Sequence, residues 1–261
     1  MISKTGRGIV DQCPDISFEV YPMKISAFKG SGKLIEETGR VFSAFKVPVI
    51  PVDMIFLLVM IVFCNFHILT GSSCRTLIFN FDKVAQGEVY RVMTHPFVHL
   101  SWYHFLLDAG AFILLYTGLN EKRGSRKLLT VGICGSSGLL APLIFAPDIY
   151  TQGLCGLSGI AHGLMAYSGL EMMQDRRTVK TGIACLTIVV AKSIYEAVTG
   201  TVFFSFLLFG LCGIPIAVCH LGGVLGGIIS FVIFQHGGKP GVERSFSSLL
   251  HKAVSDPANQ L

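Results

Sequence analysis

The chain has 261 residues, of which 51% are apolar and only 14% charged. A soluble domain is about 25% charged, so 21 Lys and Arg with 16 Asp and Glu supply too little polar surface for a water-soluble fold of this size. Composition excludes a disordered chain, a collagen and a disulfide-stapled mini-protein, and a mean hydropathy of +0.62 points to one domain that lives in a bilayer.

Residues 1–46 hold seven Lys or Arg and five Asp or Glu and read as a short, soluble N-terminal arm. The texture changes after Lys46. Residues 47–69 carry one charge, Asp53. At about 1.5 Å per residue they are long enough to cross a hydrocarbon core of about 30 Å. A secretory signal would place its apolar run near the N-terminus, so this segment reads as the first transmembrane helix. Five further apolar stretches follow: residues 96–119, 127–147, 153–173, 181–198 and 213–234. The apolar run 199–212 is interrupted by Gly200 and Gly210 and followed by Gly213 and Pro215, which favours six spans over seven. The predicted organisation is an arm over 1–46, a six-helix membrane domain over 47–236 and a tail over 237–261.

Basic residues set the predicted orientation. Seventeen Lys and Arg fall in the arm, the tail, the link around Lys122–Lys127 and the link around Arg176–Lys180, against three (Arg75, Lys83, Arg91) on the other side. The positive-inside rule then places both termini in the cytoplasm. The net charge of +5 reads as topology, not as a nucleic-acid footprint. The eight cysteines form no C-x-x-C pair and behave as small hydrophobes. Dinucleotide, Walker and H-E-x-x-H patterns are absent, so neither a cofactor nor a metal is expected.

Ionisable groups within spans are costly and mark function by default. The second span carries His99, His104 and Asp108, the fourth opens on Gly156-Leu157-Ser158-Gly159, and the sixth carries His220 ahead of Gly222, Gly223, Gly226 and Gly227. Counted from the outer ends of these spans, Ser158, His220 and His104 lie at depths of about 8, 10 and 12 Å, in one layer. A serine hydroxyl needs a base to take its proton, and imidazole is the usual one near neutral pH. Acyl transfer also needs donors for an oxyanion, which His104 and backbone N–H groups near Ser158 can supply. Gly223 and Gly227 offer a small-residue face for close helix packing. His162, four residues after Ser158, is a rival base, but both side chains leave one backbone in nearly the same direction, and it reads as structural. Cys155 is a rival nucleophile that reads as a buried thiol.

Together these residues resemble the rhomboid family of intramembrane serine proteases, over about residues 87–236. The resemblance rests on Gly87-Glu88-Val89-Tyr90-Arg91, Thr94-His95, His99, His104, Asp108, Glu121–Ser125, Gly156-x-Ser158-Gly159 and Cys219-His220-x-x-Gly223-x-x-x-Gly227. It implies an all-α, six-transmembrane-helix bundle in which Ser158 and His220 form a dyad without a third, carboxylate member, and an oxyanion hole that includes His104. Rhomboids tend to carry Asn one turn after that His, whereas this chain has Asp108. Residues 156–164, with Lys192 and Glu196, are most similar to the rhombosortase subfamily, which is thought to process C-terminal sorting tails of exported bacterial proteins. Lys192 and Glu196 sit at i and i+4 and can pair, neutralising two costly charges. The resemblance implies transmembrane protein substrates, a bacterial inner-membrane location and an active site toward the outer face. Asp108 keeps open the alternative of an inactive rhomboid-like protein that binds transmembrane clients.

Overall fold

The computed structural model describes residues 50–73, 75–203 and 216–236, leaving aside the side chains of residues 235 and 236. The predicted arm, most of the segment 199–215 and the tail lie outside the described residues. The described part is helical, and its single β feature is an isolated antiparallel bridge between Phe79 and Leu154.

Helix α1, Val52–Thr70, starts after the extended Pro51 and stops at Gly71, whose φ of 67° is the left-handed conformation that ends helices. Met54, Leu57, Ile61 and Cys64 are buried, a stripe at helical spacing, while Ile55, Phe56, Val59, Val62, Phe63, Phe66 and Leu69 are exposed. A helix that is apolar on its outward face as well as its inward one suits lipid, not water.

The chain then runs through two short helices, α2 (Phe81–Ala85) and α3 (Arg91–Thr94), and a 3₁₀ turn, His95–Phe97. Arg91 organises this segment. Its buried guanidinium donates to the carbonyls of Arg75 and Ile78 at 2.6 and 2.9 Å and to Glu88 at 2.7 Å. The Arg91 guanidinium, together with the Tyr90 hydroxyl, holds the Glu88 carboxyl below its ordinary range. Arg91→Leu would strand two carbonyls, and we expect it to lower stability by about 2 kcal/mol, read as a fall in thermal midpoint in detergent. An unchanged midpoint would show that water replaces the guanidinium.

Helix α4 is Trp102–Gly118, capped by the Ser101 side chain accepting from His104 N–H. Residues 96–119 were expected to be one span. Instead the chain bends by 95° between Arg91–Phe97 and Trp102–Gly118. Pro96 lacks the N–H to continue a helix, and the Ser101 cap starts a new one, so His99 lies in the corner ahead of α4. Helix α5, Gly124–Phe145, is followed by the short α6, Ile149–Gln152, then by α7, Ser158–Met172, α8, Val179–Thr199, and α9, Val218–His236. Helices α1, α5 and α8 are long and apolar enough to cross a membrane, and the bent pair ending in α4 makes a fourth if taken as one span. Helix α7 has 15 residues, because residues 153–157, expected inside the fourth span, precede the helix.

Helix α7 is the centre of the bundle. It packs against α4, α5, α8 and α9, and ten of its residues from Gly159 to Leu170 are buried. Its contact with α9 is backbone to backbone. A Cβ on Gly223 would strike the carbonyl of Gly159, and one on Gly227 the carbonyl of Gly163. The neighbouring Gly222 and Gly226 face α5, against Ser137 and Cys134. Between apolar helices in lipid, van der Waals contact replaces the hydrophobic drive, so closeness of this kind is what small residues permit.

Candidate active site

Ser158 is the first residue of α7, His104 the third of α4 and His220 the third of α9. Depths counted from the ends of the apolar runs put the three in one layer. The helices begin later than those runs, and the common layer is the first turn of three helices. The C-terminal part of α1 and the last turn of α8 reach the same end of the bundle through Asn65 and Glu196.

Two backbone contacts bring Ser158 there. Phe79 and Leu154 exchange N–H···O bonds of 3.0 and 3.2 Å, and Gly156 N–H donates to the His95 carbonyl at 3.1 Å. Gly156 has φ of 105°, a region L side chains rarely adopt, and a Cβ there would meet His104 Nε2 at 2.7 Å and Asp108 Oδ2 at 2.9 Å. The segment ahead of the serine is therefore pinned to the corner that Arg91 holds.

His220 Nε2 lies 3.0 Å from Ser158 Oγ. On its other side, His220 Nδ1 lies 2.7 Å from Glu196 Oε2. A carboxylate only accepts, so Nδ1 carries the proton and Nε2 turns its lone pair to the serine hydroxyl. The expectation of a serine and histidine without a neighbouring carboxylate differs from this geometry. Glu196 is fully buried, and its second oxygen accepts from Lys192 Nζ at 2.7 Å and from Phe203 N–H at 2.9 Å. Lys192 also donates to His162 Nε2 at 2.8 Å, and His162 Nδ1–H donates to the Ser158 carbonyl at 2.7 Å. The His162 ring stacks on His220 at 4.1 Å, with 10° between their planes. His162 thus touches the serine's backbone and the histidine's face, not the serine hydroxyl.

On the opposite flank, Asp108 Oδ2 accepts from Ser158 N–H and from His104 Nε2–H, each at 3.1 Å. His104 Nδ1 accepts from Leu100 N–H at 3.3 Å, which assigns its proton to Nε2. His99 is buried, edge-on to the His104 ring at 4.9 Å, with Nε2 3.7 Å from Asp108 Oδ2. Two residues of α1 that the sequence reading passed over hold this flank. Asn65 Oδ1 meets the backbone N–H and Nδ1 of His99 at 2.9 and 3.0 Å, and its Nδ2 donates to the carbonyls of Phe97 and Ile61. His67 Nε2 lies 2.9 Å from the His99 carbonyl and Nδ1 3.0 Å from that of Cys64. The signal for both was a polar side chain inside an apolar run.

Among the described residues, two groups bring possible metal-ligating atoms within 4.8 Å of one another, His99 with His104 and Asp108, and His162 with Glu196 and His220. In the first, the Leu100 N–H places a proton on the His104 nitrogen that a metal would need. In the second, all three residues already hydrogen-bond to other groups.

Comparison with protein families matches residues 86–236 to the rhomboid domain. Among curated proteins, the rhomboid protease GlpG of Salmonella newport (strain SL254) and that of Salmonella heidelberg (strain SL476) are each 31% identical over 97 residues, covering 36% of this chain and 33% of the relative. The chain thus spans about a third of the length of the curated relatives it matches.

Proposed function

The chain belongs to the rhomboid family, and we propose that it is an intramembrane serine endopeptidase cleaving transmembrane or membrane-anchored proteins, with Ser158 as nucleophile and His220 as base. The observation that carries this reading is the 3.0 Å contact between Ser158 Oγ and His220 Nε2, in the first turns of two packed helices. Ser158 Oγ attacks the scissile carbonyl carbon while its proton passes to His220 Nε2. The tetrahedral oxygen takes up hydrogen bonds from Ser158 N–H and His104 Nε2–H, at the N-terminus of α7, where helix partial charge favours an anion. His220 returns the proton to the leaving amine. A water molecule, deprotonated by the same nitrogen, then releases the acyl group from Ser158.

In this reading six helices cross the membrane, α7 and α9 among them, with both termini cytoplasmic and the site toward the outer face of a bacterial inner membrane. The alternation of helix ends supports it, since α4, α7 and α9 start at the site while α1 and α8 finish there. Its finer form is rhombosortase-like processing of C-terminal sorting tails, supported by the run from Gly156 to Leu164 and by Lys192 and Glu196.

The test is a serine-directed fluorophosphonate probe combined with cleavage of a model membrane-anchored substrate in proteoliposomes. Labelling that disappears in Ser158→Ala, together with cleavage by the wild type, is expected. A wild type that neither labels nor cleaves would establish the client-binding alternative.

Asp108 makes a separate prediction. Its carboxylate occupies both donors that the oxyanion needs, so it has to move aside, and its charge opposes the oxyanion while it stays near. Asp108→Asn removes the charge and adds an N–H donor. Labelling and turnover are expected to rise about tenfold, equivalent to about 1.4 kcal/mol of transition-state stabilisation. A fall would mean that Asp108 is needed to orient His104.

A further inference from the structure

Lys192 and Glu196 can be read as a charge pair that exists only to make two intramembrane ions tolerable. That reading requires one carboxylate oxygen and one ammonium. The structure shows more. Both oxygens of Glu196 are engaged, Oε1 by Lys192 and Phe203 N–H, and Oε2 by His220 Nδ1 at 2.7 Å. The side chain is fully buried, so the carboxylate is neither screened nor free to turn toward water. Lys192 continues to His162, and His162 returns to the Ser158 carbonyl. The polar contacts thereby close a ring, Ser158 to His220 to Glu196 to Lys192 to His162 and back to the backbone of Ser158.

Building on the acyl-transfer reading, we propose that Glu196 completes a Ser158–His220–Glu196 triad, as a positioning residue that fixes the His220 tautomer and stabilises its imidazolium. When Ser158 Oγ forms its bond to the carbonyl carbon, its proton moves to His220 Nε2. The Nδ1 proton stays on His220, and Glu196 remains a carboxylate throughout. Lys192 anchors that carboxylate against rotation and, through the neutral His162 ring stacked on His220, limits tilting of the base.

The triad predicts a result that a plain ion pair does not. Glu196→Gln is nearly isosteric, but its amide can donate to Nδ1 and so select the tautomer whose Nε2 carries the proton and cannot accept another. The expected outcome in proteoliposomes is a loss of about a thousandfold or more in kcat, with KM within about twofold of wild type and fluorophosphonate labelling slowed in parallel. Glu196→Asp, which keeps the acceptor but shortens the reach, should recover part of that loss. Glu196→Gln also leaves Lys192 without its carboxylate, so Lys192→Met with Glu196→Gln serves as the second variant, since it removes both charges together. Its thermal midpoint should be close to wild type while kcat stays as low as in Glu196→Gln. A folded Glu196→Gln or double variant with wild-type kcat would overturn the triad and leave the Ser158–His220 proposal standing. A wild type without activity would remove both.

Discussion

Ser158→Ala and His220→Ala are each expected to lower turnover of a membrane-anchored substrate by about ten-thousandfold or more, and the double variant is expected to lose no more than either single one. The two side chains act as one unit. Without the hydroxyl, His220 has no nucleophile to activate. Without the imidazole, the Ser158 hydroxyl is a weak nucleophile whose proton has lost its acceptor. His162 is the neighbouring imidazole that could stand in for His220. It lies 4.1 Å from His220, ring to ring, but its Nδ1–H is committed to the Ser158 carbonyl and its Nε2 to Lys192. It therefore cannot substitute as the base, and His220→Ala should be as inactive as Ser158→Ala. Multiplicative losses in the double variant would show independent roles and defeat the shared-unit account. The measurement is initial cleavage rate in proteoliposomes with protein folding checked by thermal midpoint.

Gly223→Ala is expected to cost about 3 kcal/mol of stability and to reduce turnover by about a hundredfold in whatever protein folds. Its Cβ would overlap the Gly159 carbonyl, and that backbone belongs to the residue after Ser158. Neither α7 nor α9 can yield locally. Gly163 lies against Gly223 and Cys134 one turn further along, and Gly222 and Gly226 press on α5. The helices must separate, and the 3.0 Å contact from His220 to Ser158 opens with them. Gly132 on α5 is the control, because a Cβ there meets nothing within 4 Å. Gly132→Ala should match or slightly exceed wild-type stability, since alanine favours the helix by about 1 kcal/mol over glycine. If Gly223→Ala melts and cleaves like wild type, the close approach of α7 and α9 is not what holds the site.

Much of the candidate site was legible because intramembrane polar residues are few and costly. Ser158, His220, His104, Asp108 and the glycines of α9 announced themselves by type and place. Asn65 and His67 were equally visible and were passed over, since nothing in their spacing linked them to residues 97–99, more than 30 positions away. The bend before α4 was half-visible in Pro96, but apolar content alone ran straight through it. Glu196 pairs with Lys192 as its spacing predicts, but its second partner had no such signal. Its i, i+4 relation to Lys192 is a property of one helix, whereas its contact with His220 crosses 24 residues and two helices.

The amino-acid sequence by itself determined the environment, the approximate helices and the chemical types available for catalysis, because these follow from composition and from periodicities local to one helix. Only the tertiary structure decided which atoms meet. Helix ends are set by caps such as Ser101 and by backbone contacts such as Gly156 to His95, not by where apolar content rises. Which side of His220 meets Ser158, and which meets a buried carboxylate, depends on how closely α7, α8 and α9 approach. That closeness depends on glycines whose missing side chains have no direction to read in a sequence, and acquire meaning only from the carbonyls packed against them.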